Sequence, residues 1–457
     1  MNFDNIIIDT DSYKASHYLQ YPPKTQYIHS YLESRGGKYP YTRFFGLQYL
    51  IKRYLTTPVT REMVEEAREI FESHGEPFNY AGWMHIVEAH GGKLPLEVRA
   101  VPEGTVVPTH NILMGVVNTD PECYWLVSWF ETLLMRVWYP TTVATQSYYL
   151  KQIIREALEK SSDDPESEIA FKLHDFGSRG VSSQESAGIG GLAHLTNFMG
   201  TDTVAALMFG RKFYNTPMPG FSIPAAEHSS ITSWGKEHEV DAYRNMLVQF
   251  AKPGKTVAIV SDSYDLKKAI NEHWGTTLRD EILESGATVV IRPDSGDPAA
   301  MVRMTVRALD AKFGHTINSK GFKVLNAVRV IQGDGINEDS IREILAVLLG
   351  EGYSATNVAF GMGGALLQMV NRDTQKFAYK ASAGIIDGKY QPIYKDPVTD
   401  PGKRSKDGIL DLVKRNGKFE TLQGKEFGKY SEDSLLRVVY RNGELLIDEA
   451  LQDIRAR

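Results

Sequence analysis

Four apolar runs of strand length punctuate the middle of the chain, with about 30 to 40 residues between their starts: "TVAIVSDSYD" (256–265), "TVVIRPDSGDP" (288–298), "AVRVIQGDG" (327–335) and "NVAFGMGG" (357–364). Each is apolar at consecutive positions and ends in the glycine, serine or aspartate that terminates a strand. Between them the period changes. Leu266, Ala269, Ile270 and Trp274, then Val302, Val306, Leu309 and Phe313, then Ile341, Ile344, Leu345 and Leu348 recur near 3.6, which predicts a helix in each interval. Strands apolar on both faces, alternating with helices, predict a parallel sheet covered on both sides, open or closed into a barrel. Earlier units at "EIAFKLHDFGSRG" (168–180), around "GTDT" (200–203) and at "PGFSIPAAEHSS" (219–230) bring the count to about seven strands, which favours a barrel. In such sheets ligands bind at the C-terminal strand ends. The charged tail of "TVVIRPDSGDP" is then one wall of a site.

The flanks read differently. "LPLEVRAVPEGTVVP" (94–108), "LVKRNGKFETL" (412–422) and "LRVVYRNGELLID" (436–448) are short strands around turns, the last two with the Asn-Gly of a tight hairpin. They predict a β-rich accessory domain built from both chain ends. The expected division is an N-terminal region of helices and β-rich accessory part (1–150), an α/β barrel (151–385), and a hairpin region (386–457) packing with the N-terminal part. "KDPVTDPGKRSKDG" (395–408) is expected to be an exposed loop. The very apolar "YWLVSWFETLLMRVWYP" (124–140) carries Glu131 and Arg136, so it is expected as a core helix rather than a membrane span.

Composition narrows the class. The 457 residues are 42% hydrophobic and 24% charged, as in soluble globular proteins. The single cysteine, Cys123, cannot form an intramolecular disulfide, and "MNFDNIIIDTDSYK" lacks the features of a signal peptide, so a reducing cytoplasm is expected. A net charge of −6 without a basic run argues against nucleic acid, although a pocket could still gather cations around a small anion.

Several constellations carry chemistry. Arg179, Arg292 and Arg372 lie near strand ends, where guanidinium groups suit phosphate, or simply pair with Asp294, Asp297 and Asp373. "GDG" (333–335) and "GMGG" (361–364) offer backbone N–H groups to phosphate, though tight turns also need glycine. Asp262, Asp265, Asp294 and Asp334 follow strands on neighbouring units. Grouped carboxylates suit Mg²⁺ and ribose hydroxyls, but aspartate is also a good helix cap. His228, after Glu227, opens a predicted helix with the stripe Tyr243, Met246, Leu247 and Phe250; it is either a rim histidine oriented by a carboxylate or a structural one. No partner spacing favours metal ligation by it. "AGIGGLA" (187–193) follows no strand and is not a dinucleotide fingerprint. "DFG" (175–177) lacks its kinase companions.

Taken in order, "TDSYKASHY" (10–18), "KLHDFGSRGVSSQESAGIG" (172–190), "GTDTVA" (200–205), "PAAEHSSI" (224–231), "VSDSYD" (260–265), "IRPDSGDP" (291–298), "IQGDG" (331–335) and "KDPVTDPGKRSK" (395–406) resemble the nicotinamide phosphoribosyltransferases over nearly the whole chain. The resemblance implies an irregular parallel α/β barrel of the type II phosphoribosyltransferase kind with a β-rich accessory domain. It implies transfer of phosphoribose from phosphoribosyl pyrophosphate to nicotinamide, releasing pyrophosphate. ATP would be a co-substrate, Mg²⁺ the cofactor, and a homodimer would share its active sites. Phe176 and the partner subunit's Tyr13 would sandwich the pyridine ring, and Asp202 would accept its amide N–H. Arg179, Arg292, Asp294, Gly333, Asp334, Gly363 and Gly364 would hold the ribose and its phosphate, and Arg35, Arg372, Lys380 and Lys395 pyrophosphate or ATP phosphates. Asp11, Ser222 and Ser261 join them as substrate-binding positions. His228 would be phosphorylated by ATP, with Asp265 holding its imidazole, and Arg292 and Asp294 complete the catalytic set. Mg²⁺ would act through the phosphates, with no direct ligand assigned. Ser178, Met362 and Ala365 depart from the usual family pattern of tyrosine, serine and glycine.

Overall fold

In the computed structural model, which describes residues 4–399 and 404–457, the four central runs become the parallel strands Thr256–Val260, Thr288–Arg292, Val328–Gln332 and Val358–Met362. Leu173–Asp175 and Gly200–Thr201 extend the sheet to six. The segment at 221–225 closes it, because Phe221 bridges Gly200 and Ala225 bridges Ala258, both in parallel. The seventh strand inferred from "PGFSIPAAEHSS" is therefore present as two bridges rather than as a regular ladder. Proline at 219 and 224 explains this, since each lacks the N–H a ladder needs. Ala258, Val290 and Ile331 point inward and pack with Phe176, Ile223 and Ala359, whereas Val257, Val289 and Val330 are fully buried on alternate positions.

Helices follow the strands as the period implied: Pro298–Phe313 begins with proline at its first position and is capped by Asp297, and Glu338–Gly350 is capped by Asn337. After Thr256–Val260 the helix is one α turn, Leu266–Lys268, running into a π-helix over Ala269–Thr277. Helix Gln184–His194 contains "AGIGGLA" in its interior, where a Cβ at Gly188 would meet the Phe209 ring at 2.4 Å; these glycines serve packing, consistent with rejecting a dinucleotide loop. Two expectations change. His228 opens a helix of only five residues, His228–Thr232, and the Tyr243–Phe250 stripe belongs to a separate helix, Glu239–Phe250; the chain breaks at Gly235, whose φ is 87°. The apolar stretch 124–140 is likewise not one helix but Leu126–Trp129 and Glu131–Met135, interrupted at Phe130 (ψ 6°), before Trp138–Ser161 starts. Buried aromatic packing dictates the break: the Trp83 ring lies 5.1 Å from that of Trp125 and 5.2 Å from that of Trp129. No helix among the described residues is long and apolar enough to cross a membrane.

The parallel strands and the helices between them belong to one unit, 146–209 with 217–370. The other unit, 1–145, 210–216 and 371–457, holds a seven-stranded sheet in the order Lys389–Pro392, Phe377–Ile386, Thr25–Ser34, Ile112–Asn118, Leu96–Ala100, Arg437–Arg441, Glu444–Leu445. Both chain ends thus enter one antiparallel sheet. The Asn-Gly turns appear where read: Asn416–Gly417 joins Ile409–Arg415 to Lys418–Gly424, and Asn442–Gly443 joins the last two strands, with φ positive at all four residues. Of the loop 395–408, residues 400–403 lie outside the described residues.

Candidate active site

The polar tails of the parallel strands meet around Phe176. Leu173–Asp175 delivers it, and its backbone N–H donates to Met362 O at 3.0 Å, anchoring it beside the next strand end. Its ring packs directly against Gly361, where a Cβ would come within 1.9 Å of Cε2. A Cβ at Gly333 would be 3.5 Å from the same ring and 3.4 Å from Asp294 Oδ1, and one at Gly363 would be 3.5 Å from Phe176 O. Gly180, next to Arg179, abuts Gly364, whose Cα a Cβ there would approach to 3.3 Å. Phe176, Gly333, Asp294, Gly363, Gly364 and the Arg179 turn are therefore neighbours. Arg179 itself is exposed.

Beside this ring a cavity of about 770 Å³ runs through the barrel, from Phe176, Asp202 and Ser222 to the strand starts at Thr256, Thr288 and Val358. That volume suits a small organic ligand. Asp202 is held by its N–H on Asp175 O at 3.0 Å and by a short hydrogen bond from Ser222 Oγ to its Oδ1. Burial pushes the His174 imidazole down despite the opposing charge of Asp202, so the wall facing that carboxylate is a neutral ring. His174, Phe221 and Gly361 were not singled out in the sequence. A signal existed for His174, because strand alternation puts it on the face of Phe176, two residues on.

At the rim, His228 Nε2 is 3.1 Å from Asp262 Oδ1, and Nδ1 is 3.8 Å from Asp294 Oδ2. Asp262 Oδ2 accepts from the Asp294 N–H at 3.0 Å and Ser295 Oγ at 2.6 Å. Burial opposes the charge on Asp262, but Ser295, His228 and the Asp294 amide outweigh it and hold the carboxyl below its usual range. Asp294 goes the other way. Burial, reinforced by Asp262 and Asp334, raises it although Arg292 counteracts. Arg292 Nη2 is 3.3 Å from Asp294 Oδ2, while Arg292 Nε is buried without a hydrogen-bond partner among the described residues. That orphan donor fits an anion.

Two sequence expectations fail locally. Asp265 does not hold the imidazole; its side chain accepts from Lys268 N–H at 3.0 Å and caps the next helix, the alternative its position allowed, and Asp262 takes the histidine. Ser261 is fully buried, its Oγ donating to Ile259 O and accepting from Trp274 Nε1, both at 3.0 Å, so its proton is committed within the core in this arrangement. Asp334 and Ser222 are exposed at strand ends. Met362 is buried, and Ala365 O accepts from Gln146 Nε2 at 2.9 Å.

The second unit has its own cationic group. Burial lowers the Lys380 ammonium, with Arg35, Lys395 and Lys14 adding to this and Glu131 opposing it. Arg35 Nε pairs with Glu33 at 2.9 Å, and its buried Nη2 lacks a partner among the described residues. Arg372 is mostly exposed, with Nε 3.8 Å from Asp373. Tyr13 presents an exposed ring, 57% accessible, edge-on to His17 at 5.2 Å. Asp11 Oδ2 accepts from Thr132 Oγ1 at 2.6 Å.

Comparison with known proteins fits this geometry. The sequence profile of the nicotinate phosphoribosyltransferase (NAPRTase) family matches residues 171–444, and that of the nicotinamide phosphoribosyltransferase N-terminal domain matches 5–98. The chain is 62% identical to a nicotinamide phosphoribosyltransferase of Xanthomonas campestris over 90% of its own length and 88% of that protein. It is 32% identical to one of Acinetobacter baylyi over 98% and 95%. In fold it is similar to a nicotinate-nucleotide pyrophosphorylase of Pyrococcus furiosus (TM-score 0.63, 16% identity, covering 100% of this chain and 95% of that one). A human nicotinic acid phosphoribosyltransferase is similar too (TM-score 0.55, 18% identity, 98% and 92%). A type II phosphoribosyltransferase barrel, a pocket of aromatic and carboxylate groups at its strand ends, and identity sustained along nearly all of the chain place it in the nicotinamide phosphoribosyltransferase family.

Proposed function

We propose that the protein joins nicotinamide to the phosphoribosyl group of phosphoribosyl pyrophosphate, giving nicotinamide mononucleotide and pyrophosphate for NAD salvage. The observation that carries this reading is that the Asp202 carboxylate and the Phe176 ring line the same cavity. Its oxygens can accept the carboxamide N–H₂ of nicotinamide and would repel the carboxylate of nicotinate. A site built around an acceptor discriminates strongly against a ligand that lacks the donor. Phe176 orients the ring by stacking, worth about 0.5–1.5 kcal/mol beyond burial, and the partner subunit's Tyr13 would cover its other face in a homodimer.

Transfer breaks the C1–O bond to pyrophosphate and forms C1–N to the pyridine nitrogen. That nitrogen carries no proton, so no general base is needed. The sugar becomes cationic as the bond breaks, and catalysis rests on alignment and on stabilising the leaving pyrophosphate. Arg292 with its unpartnered Nε, Arg179 and the backbone at Gly333, Gly363 and Gly364 would hold the phosphoribosyl moiety. Arg35, Arg372, Lys380 and Lys395 would meet pyrophosphate or ATP. The hard oxygens of Asp294 and Asp334 fit Mg²⁺, whose charge would offset that of the phosphates.

ATP would act through His228. With Nε2 held by Asp262, Nδ1 is left to attack the γ-phosphorus; the N–P bond forms as the P–O bond to ADP breaks, and water later releases phosphate. Asp262 rather than Asp265 orients the ring in this reading. The test compares nicotinamide mononucleotide formation with and without ATP in the wild type and in His228→Ala. ATP stimulation and ATP hydrolysis are expected in the wild type and absent in the variant. Unchanged ATP hydrolysis by His228→Ala would remove the histidine from the reaction. A cytoplasmic location fits the single buried cysteine.

A further inference from the structure

Outside that site, one cluster of metal-ligating side chains has no role in the transfer. Helix Tyr80–His90 presents His85 and its last residue, His90, to the turn that follows strand Ile112–Asn118. Both imidazoles converge on one oxygen: Asp120 Oδ2 is 2.8 Å from His85 Nε2 and 2.6 Å from His90 Nε2. The rings stand at 80° to each other, so they approach that point from different directions. Ligand atoms of His85, Asp120 and Cys123 all lie within 4.8 Å of one another, and the cysteine closes the buried side. We propose that His85, His90, Asp120 and Cys123 form a binding site for one zinc-class divalent cation, independent of the transferase site.

Four features support a cation over a purely hydrogen-bonded cluster. Metal–ligand distances of about 2.0–2.3 Å in a tetrahedron set ligand atoms roughly 3.3–3.8 Å apart. The histidine–carboxylate pairs need to open by about half an ångström and the thiol to close on His85 and Asp120 by about one, while His90, which meets the group at Asp120, swings further toward the thiol; side-chain torsions supply these movements. Asp120 Oδ1 accepts the Glu122 N–H at 2.8 Å, which fixes the carboxylate and leaves Oδ2 to the ligand. The Glu122 carboxylate lies 3.8 Å from His85 Nδ1, the outer-shell partner that metal-bound imidazoles usually have. The site also sits at the C-terminal end of an 11-residue helix, where the backbone dipole favours positive charge. On binding, the neutral imidazoles carry their protons on Nδ1 and the thiol releases one proton to solvent. One thiolate and one carboxylate then balance a dication. Nitrogen and sulfur ligands exclude Mg²⁺ and Ca²⁺, which prefer oxygen, and favour Zn²⁺ or Co²⁺. Four protein ligands leave no open position, so the ion would staple the helix to the turn.

The test uses the full-length protein, stripped with chelator and dialysed against Zn²⁺ with excess Mg²⁺, with bound metal counted by mass spectrometry. The wild type is expected to retain one more zinc equivalent per chain than the double variant His85→Gln/His90→Gln. Added Zn²⁺ should raise the melting temperature of the wild type alone. Loaded with Co²⁺, the wild type should show a thiolate-to-cobalt charge-transfer band that Cys123→Ala lacks. Equal zinc content in wild type and double variant overturns the site, as does a wild-type cobalt form without that band. The cobalt spectrum decides by itself should the double variant fold poorly.

Discussion

In the proposed reading Asp202 and Phe176 set what the pocket accepts, and single changes there should have distinct signatures. Asp202→Asn exchanges a charged acceptor for an amide that can also donate. Hydrogen bonds to charged groups contribute about 1.5–3 kcal/mol, so kcat/KM for nicotinamide should fall roughly 10- to 150-fold while that for nicotinate rises. Steady-state kinetics with both pyridines checks this. Gly361→Ala drives a methyl group into the Phe176 ring. It should raise KM for nicotinamide far more than KM for phosphoribosyl pyrophosphate, because in the proposed binding mode the ring stacks on the former. At this scale the sequence was informative about residue type but not about partners. Four aspartates follow neighbouring strands, yet which one reaches His228 depends on loop geometry. Asp265 lies at a helix start and is consumed as a cap, while Asp262 is pulled inward by Ser295 and the Asp294 amide.

Elements in the β-rich unit are joined by buried polar groups that hydrophobic patterning could not reveal. Glu103 follows strand Leu96–Ala100, accepts the Gln48 N–H of helix Leu47–Leu50 at 2.7 Å and the Tyr214 hydroxyl at 2.8 Å, and is fully enclosed. Burial pushes its carboxyl up to about 7 despite these hydrogen bonds. The folded form thus holds the proton more tightly than the unfolded chain, for which the ordinary value is 4.5. Its favourable contribution is complete below about 4.5 and is lost as pH rises through about 7. The melting temperature of the wild type relative to Glu103→Gln should therefore decline across that window and then level off; a constant difference would contradict it. Local signals did reveal these hairpins, because Asn-Gly readily meets the positive φ that a two-residue turn demands. The break at Phe130 was not legible, since packing of Trp83, Trp125 and Trp129 overrides a continuous apolar period, whereas the break after His228–Thr232 falls at a residue the sequence did show, Gly235, with φ 87°.

For the whole molecule, the doubly apolar strands and their spacing sufficed to foresee a parallel barrel. What they could not convey was how distant segments of the chain assemble the second unit. Tyr13, Arg35, Lys380 and Lys395 lie in a unit assembled from segments hundreds of residues apart, and no periodicity links them to Phe176. If Tyr13 serves the partner's pocket, Tyr13→Ala and Asp202→Ala chains should each be nearly inactive alone. Co-expressed, they should regain activity, because a mixed dimer contains one intact site; no recovery would place Tyr13 in its own subunit's pocket or outside catalysis. The central claim is that the loops trailing the barrel strands form a pocket selecting nicotinamide for phosphoribosyl transfer. Its most direct test supplies phosphoribosyl pyrophosphate, Mg²⁺, ATP and equal concentrations of nicotinamide and nicotinate in one reaction, and measures the two mononucleotides formed. A large excess of nicotinamide mononucleotide is expected; a preference for nicotinate mononucleotide, or neither product, would contradict the account.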